Sequence, residues 1–406
     1  MWQGPCRAAA GESPNERLNV AVVGTGGRGQ GNMNAVARTE NIVALCDVDR
    51  RRLTEAGKRH PSARRYADFR RMLEQNDIDA VVVSTPDHTH AAVALAAMEL
   101  GKHVYCEKPL AASVADARDM AAAALRAGVV TQMGNQVHAS FHLRRVVELL
   151  RAGVLGPVEK VVAACHKVLP HSGGALPTET PPVPDYLDWD LWLGPAEERP
   201  YHPVYHPFGW RVFWGLGSGN FGDMGCHILD APYWGLGLRH PVRIEAEGPP
   251  PDPHVAPKRM IVRYWFERDE GGAPLELVWY DGELAPPGEV IEGVNDGMMV
   301  IGRRGRLVYN FRGGDTRLLP TEAFADVELP APRPTDHHVE WIEACKGRGQ
   351  TASDFQYGAA LTEVVLAGVV AYRMREPLEW DGAAMRAKNC PEAEALIRPP
   401  RRKEWG

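Results

Sequence analysis

The chain of 406 residues lacks several features that would assign it to other classes. It has no C-x-x-C pair. Its seven cysteines (Cys6, Cys46, Cys106, Cys165, Cys226, Cys345, Cys390) are odd in number and scattered. That excludes a disulfide framework and a cysteine-held zinc site, and it fits a reducing, cytoplasmic compartment. No uninterrupted apolar run reaches the roughly eighteen residues of a membrane helix, so no membrane partner is expected. Basic surplus is absent too: 46 Lys and Arg against 52 Asp and Glu give a net charge of -6, which speaks against nucleic acid as a partner. Residues 1–17 have no apolar signal core and read as a flexible leader. An exported protein whose leader was removed is the alternative to the cytoplasmic reading. Repeats and low-complexity blocks are missing. With 44% hydrophobic and 24% charged residues, the chain has the make-up of a globular protein of two or three domains.

Residues 18–23 (LNVAVV) form a short apolar run of the kind that builds a buried parallel strand. They lead into Gly24-Thr25-Gly26-Gly27-Arg28-Gly29, then a helical stretch, then a second apolar run, 42–46, that ends at Asp47. Strand, G-x-G-x-x-G, helix, strand and acid in this order are the fingerprint of a dinucleotide site. The glycines permit the tight turn, the approach of backbone to pyrophosphate, and close helix packing, with the helix N-terminus facing the anion. Asp47 is placed to bind the adenosine ribose hydroxyls. A carboxylate there repels a 2′-phosphate, so NAD is expected rather than NADP, and Arg50, Arg51 and Arg52 read as helix-surface charges.

The βα alternation continues through residues 78–84, 103–106 and 129–134, each followed by a helix or turn. This predicts a doubly wound parallel sheet, an NAD-binding domain over 18–137, whose ligands gather at the carboxyl ends of the strands. Ser84, Thr85, Pro86, His88, His90, Glu107, Lys108 and Asn135 fall at those ends and are candidate cofactor contacts. The pattern then changes. Residues 170–207 hold nine prolines among Tyr186, Trp189, Trp192, Tyr201 and Tyr205, which suits an ordered covering loop more than a linker. Strand-like pieces between 241 and 310 predict a mostly antiparallel sheet, and 337–345 and 355–373 read as helices. A substrate-binding α/β domain over 138–380 follows, with 381–406, including the basic RPPRRKEWG, as a solvated tail. His166, His171, His202 and His206 lack ligand spacing, so no metal is expected.

The stretch GSGNFGDMGCHILD, 217–230, places Asp223 and His227 four residues apart with Asp230 three further on. On a helix these three share one face, and a carboxylate beside an imidazole is an arrangement for proton abstraction. A first-turn acid and a packed core histidine would read the same way. Trp210, Arg211 and His166 are candidate substrate contacts, aromatic faces and an arginine suiting a sugar ring.

Taken together, Gly24 to Gly29, Pro86 with His90, Glu107-Lys108-Pro109, and Asp223-x-x-x-His227 after glycines resemble the glucose-fructose oxidoreductase / inositol dehydrogenase / MocA family from about residue 18 onward. The resemblance implies an N-terminal Rossmann domain, a C-terminal α/β domain with a large open sheet that often forms the interface of a homodimer or homotetramer, and NAD-dependent oxidation of a carbohydrate. It implies Lys108 as the active-site lysine and Asp223 and His227 as the catalytic pair. Some relatives are NAD-dependent glycoside hydrolases working through transient C3 oxidation; Asp223-x-x-x-His227 looks more like the dehydrogenase form.

Overall fold

The computed structural model describes residues 16–268, 272–282, 296–311 and 314–405. The leader expected over 1–17 lies, apart from its last two residues, outside them.

Six strands form the first sheet: β1 (Asn19–Val23), β2 (Asn41–Cys46), β3 (Arg64–Tyr66), β4 (Ala80–Val83), β5 (His103–Glu107) and β6 (Thr131–Gly134). All pair in parallel, in the order β3-β2-β1-β4-β5-β6. The central strands are apolar throughout because both faces are covered. Ala21, Val23, Val81 and Val83 enter one core while Val20, Val22, Ala80 and Val82 enter another, a direct result of the two-residue repeat of a strand. β3 has no apolar run; it is a three-residue edge piece with Arg64 and Arg65 exposed. The strand order reverses between β1 and β4, and a cleft opens there at the carboxyl ends.

The second sheet contains β7 (Val158–Cys165), β8 (Pro241–Glu247), β9 (Met260–Phe266), β10 (Leu275–Asp281), β11 (Asp296–Gly302), β12 (Gly305–Asn310), β13 (Thr316–Leu319), β14 (Leu378–Asp381) and β15 (Arg386–Ala387). Its order is β13-β12-β11-β7-β10-β9-β8-β14-β15, parallel between β7 and β10 and antiparallel elsewhere. The helix Phe355–Met374 packs between this sheet and the first domain. It is long and apolar enough to cross a membrane, but 83% of its apolar window is buried inside the protein, which accounts for its composition. Its Glu363 pairs with Arg118 on the helix Val114–Ala127. The helix His337–Cys345 sends Trp341 and Ile342 into the core beside Val20 and Met33.

Two segments bind across the domains. The proline-rich stretch is ordered, as expected: Arg50 N–H donates to the Tyr186 carbonyl and Asp188 N–H to the Val48 carbonyl, while the Trp189 and Trp192 rings stack 4.6 Å apart. The C-terminal tail departs from expectation. It is not a solvated end, because its basic residues meet acids: Arg398 pairs with Asp119, Arg401 with Asp116, and Arg402 with Asp190. This lays the Trp405 ring against Phe69, with the Arg70 guanidinium over it.

Candidate active site

The glycine turn leaves β1 and runs under the end of β4. Gly24 has φ 82°, and a Cβ there would lie 2.6 Å from the Ser84 carbonyl oxygen; a Cβ on Gly29 would lie 1.8 Å from the Gly24 oxygen. Only glycine permits this approach, and it starts the helix Arg28–Val36 directly above the strand. Asp47, at the end of β2, accepts from Thr25 N–H at 2.8 Å, Thr25 Oγ1 at 3.0 Å and Asp49 N–H at 2.9 Å. Burial raises its pKa against those bonds. Arg52 does not stay on the outer helix surface: its side chain crosses the turn so closely that a Cβ on Gly26 would strike it.

The strand ends carry a second set of groups. Glu107 is buried and accepts from Asn32 Nδ2 at 2.8 Å and Gln136 Nε2 at 2.7 Å; the same Asn32 amide reaches Ser84 Oγ. His90 touches the carbonyls of Thr85 and Pro109, each at 2.9 Å, and the Lys108–Pro109 peptide bond is cis. His88 is off the cavity wall. Two positions along a helix is a turn of about 200°, so its ring faces away, onto the carbonyls of Leu216 and Trp192. Asn135 also lies elsewhere: its amide donates to buried Asp230, and the neighbouring Gln136 lines the cavity in its place.

The helix Gly219–Ile228 closes the far wall. Lys108 Nζ reaches the Asp223 carboxylate at 2.9 Å and the Asp223 carbonyl at 2.7 Å, Lys167 binds the other carboxylate oxygen, and Arg211 Nε stands 3.5 Å away. The carboxylate is therefore held by cations. No hydrogen bond joins it to His227, whose Nδ1 has no partner among the described residues. The His227 ring leans on Phe311, with centroids 5.2 Å apart. Asp230 departs from the expected shared face because the helix ends at Ile228 and another begins at Asp230, which is buried among Asn135, His138 and Tyr357. Trp210 and Arg211 line the cavity, whereas His166 is exposed on the opposite side of the chain. Val161, Ala163 and Cys165 of β7 face the main core and Val162 and Ala164 the opposite face. Continued by two residues, that alternation turns Lys167 inward and His166 out.

The glycine turn, the strand ends and the far wall line one cavity of about 900 Å³ running from the turn to Lys108, Asp223 and His227. The comparisons agree with that layout. Residues 18–135 match the model of the Gfo/Idh/MocA oxidoreductase family for its NAD-binding Rossmann fold, and 142–406 match the model for its C-terminal alpha/beta domain. The chain belongs to the Gfo/Idh/MocA oxidoreductase family. A glycosyl hydrolase family 109 protein of Solibacter usitatus is 34% identical over 178 residues, 38% of this chain and 39% of that protein. D-apiose dehydrogenase of Paraburkholderia graminis is 33% identical over 143 residues, 35% of this chain and 38% of that one. The chain thus spans about two fifths of the length of these curated relatives. Among solved structures, the WlbA dehydrogenase of Bordetella pertussis, in complex with NADH and UDP-GlcNAcA, superposes with a TM-score of 0.66 at 19% identity, covering 90% of this chain and 99% of that one, a likeness of fold.

In this Gfo/Idh/MocA oxidoreductase the charges of the far wall are strongly coupled. Burial opposes ionisation of Asp223, yet Lys108 and Lys167 hold its carboxyl far below the usual range. Burial likewise opposes charge on Lys108, but Asp223 and Asp87 prevail and hold its pKa above the ordinary lysine value. His227 is pushed down to about 3 by burial and then by Lys108, with Asp223 opposing, so its imidazole is neutral at ordinary pH. Asp87, missed in the sequence although it sits between Pro86 and His88, is pushed up to about 8 by burial, against Lys108 and Arg211. Lys167, Arg52, Gln136 and Trp405 also reach the cavity without a motif to mark them; only the strand alternation ahead of Lys167 gave a signal. Among the described residues no group of three or more His, Cys, Asp or Glu is arranged to hold a metal ion.

Proposed function

We propose that the chain is an NAD-dependent oxidoreductase acting on a secondary hydroxyl of a sugar, a sugar derivative or a cyclitol. The observation that carries this reading is the single cavity joining the glycine turn to a lysine ammonium and a neutral, unpartnered imidazole. The residues present fit a dinucleotide: a Cβ would block the turn at Gly24, Gly27 opens onto space with nothing within 4 Å, and the helix Arg28–Val36 presents its N-terminus to the same space. Gly24, Gly26, Gly27, Arg28 and Gly29 would hold the pyrophosphate, and Asp47 the adenosine ribose, which favours NAD over NADP.

When bound, NAD supplies the acceptor for the hydride leaving the hydroxyl-bearing carbon. His227, in its free-base form, takes the hydroxyl proton. Lys108 donates a hydrogen bond to the hydroxyl oxygen and stabilises the negative charge that grows there as the proton leaves. Asp223 does not orient the imidazole. It fixes the Lys108 ammonium and keeps it charged. Phe208, half-exposed at the cavity wall, offers an aromatic edge to the sugar ring.

A second reading is supported by the likeness to the family 109 glycosyl hydrolase protein: the same residues would serve a glycosidase that oxidises its substrate transiently and retains the cofactor. Incubation with NAD and a panel of sugars, cyclitols and aryl glycosides, following NADH absorbance and free aglycone together, tests both. Stoichiometric NADH supports the dehydrogenase; aglycone release without net NADH overturns it in favour of the glycosidase.

A further inference from the structure

The oxidation uses one cation, Lys108, yet the far wall carries three. Lys167 arrives from the segment after β7, and Arg211 from the one-turn helix Gly209–Val212, both ending on the Asp223 carboxylate that Lys108 already neutralises. The three side chains are 14%, 30% and 26% exposed, so water screens them only in part. Buried charge is ordinarily matched by opposite charge. Here two carboxyl groups, Asp223 and Asp87, face three cations, leaving at least one cation in excess. Glu107, the next acid along the cavity, is held by Asn32 and Gln136 and has Arg28 as a further cation of its own. The pyrophosphate position belongs to the glycine turn on the opposite side of the cavity.

Arg211 is also preset. Its guanidinium lies between Phe208 and Trp210, 4.2 and 4.3 Å from the two ring centroids, with Nη1 donating to the Phe208 carbonyl at 3.0 Å. Among the described residues Nη2 makes no hydrogen bond. A stacked guanidinium with a free nitrogen beside a lysine ammonium matches the planar fork of a carboxylate.

We propose that the substrate is a carbohydrate bearing a carboxylate, a uronic acid or uronide, whose acid group is held by Lys167 and Arg211. This rests on the oxidoreductase reading and narrows its substrate.

The test uses matched pairs: glucuronate, galacturonate and mannuronate against glucose, galactose and mannose, with the corresponding hexose 6-phosphates as a third arm. Turnover is measured at saturating NAD, and binding to the NADH-loaded protein by quenching of NADH fluorescence. The proposal expects at least one uronate to be bound and oxidised with kcat/KM about tenfold or more above its neutral partner. It further expects Lys167→Met and Arg211→Met to raise KM for the uronate about tenfold or more beyond any rise in KM for the neutral sugar, and Lys167→Arg to recover most of that difference. Equal use of acidic and neutral sugars, equal KM increases for both, or preference for the 6-phosphate overturns it while the oxidoreductase reading stands. Tight uronate binding sensitive to Lys167→Met, without oxidation of any sugar, supports the carboxylate site and overturns the oxidoreductase reading instead.

Discussion

Replacing Lys108 by methionine keeps the length and most of the volume of the side chain and deletes one charge. The ammonium makes two close contacts, at 2.9 Å to the Asp223 carboxylate and 2.7 Å to its carbonyl. Leaving a buried carboxylate with no counterion costs roughly 3–5 kcal/mol. Asp223 would keep Lys167 and Arg211, so the folding cost should stay near that of a lost charge-assisted hydrogen bond, about 1.5–3 kcal/mol. The cost to catalysis is larger relative to its source. Loss of a donor aimed at developing oxyanion charge typically lowers kcat by about 10²–10³. The variant should therefore fold, bind NAD nearly as tightly as the parent, and turn over about 10²–10³ more slowly. It should also shift its pH dependence. Lys108 is the second cause of the low His227 pKa, after burial; without it the imidazole pKa rises from about 3 toward its usual value, and the acid limb of kcat/KM moves to higher pH. Because burial remains, the limb shifts only part of the way, and the extra loss of activity is confined to its acid side. Initial rates of NADH formation along that limb and above it, with NAD affinity measured by fluorescence, check each part. Turnover within about fivefold of the parent, or an acid limb that stays in place, would refute the role given to this lysine.

Two further outcomes follow from the same cavity. Asp87 has a folded-state pKa near 8 against an ordinary value of 3.8. The folded state therefore holds a proton that the unfolded state has released between about pH 4 and 8, and the stability this group contributes falls as pH rises through that window. Asp87→Asn should flatten the decline of the melting temperature between pH 5 and 8.5; identical slopes for the two proteins would contradict the burial argument. Trp405 lines the cavity beside Phe69 at the end assigned to adenosine. An aromatic contact is worth about 0.5–1.5 kcal/mol, so Trp405→Ala should raise the Kd for NAD roughly two- to tenfold with kcat little changed. An unaltered Kd in titration calorimetry would remove the tail from the cofactor wall.

The parts of the fold that were legible in the sequence are those with local, periodic signals. The runs at β1, β2, β4 and β5 are apolar on both faces and announce a covered parallel sheet. The glycine turn is legible because a Cβ on Gly29 would lie only 1.8 Å from the Gly24 oxygen, which leaves no other residue type available. β3 was not legible, since an edge strand of three residues with two exposed arginines needs no apolar pattern. The tail is illegible for a related reason. Its arginines carry no pattern of their own and acquire a place only from Asp116, Asp119 and Asp190, which are distant in sequence.

The site divides along the same line. Asp223 and His227 share a helix face, and a spacing of four residues reveals that; what the spacing does not reveal is which partner takes the carboxylate. Asp223 was open to His227 on its own helix and to cations from three other elements, and the cations prevail because each brings full charge into a half-buried space where a neutral imidazole brings none. That outcome separates the roles of the pair. Among the described residues the imidazole has no partner to hold its Nδ1, and the carboxylate is the anchor beside which a lysine stays charged. A helix motif that reads as a dyad is in this protein two groups without a direct hydrogen bond, and the chemistry proposed for them depends on Lys108, a residue 115 positions away from Asp223 in the chain.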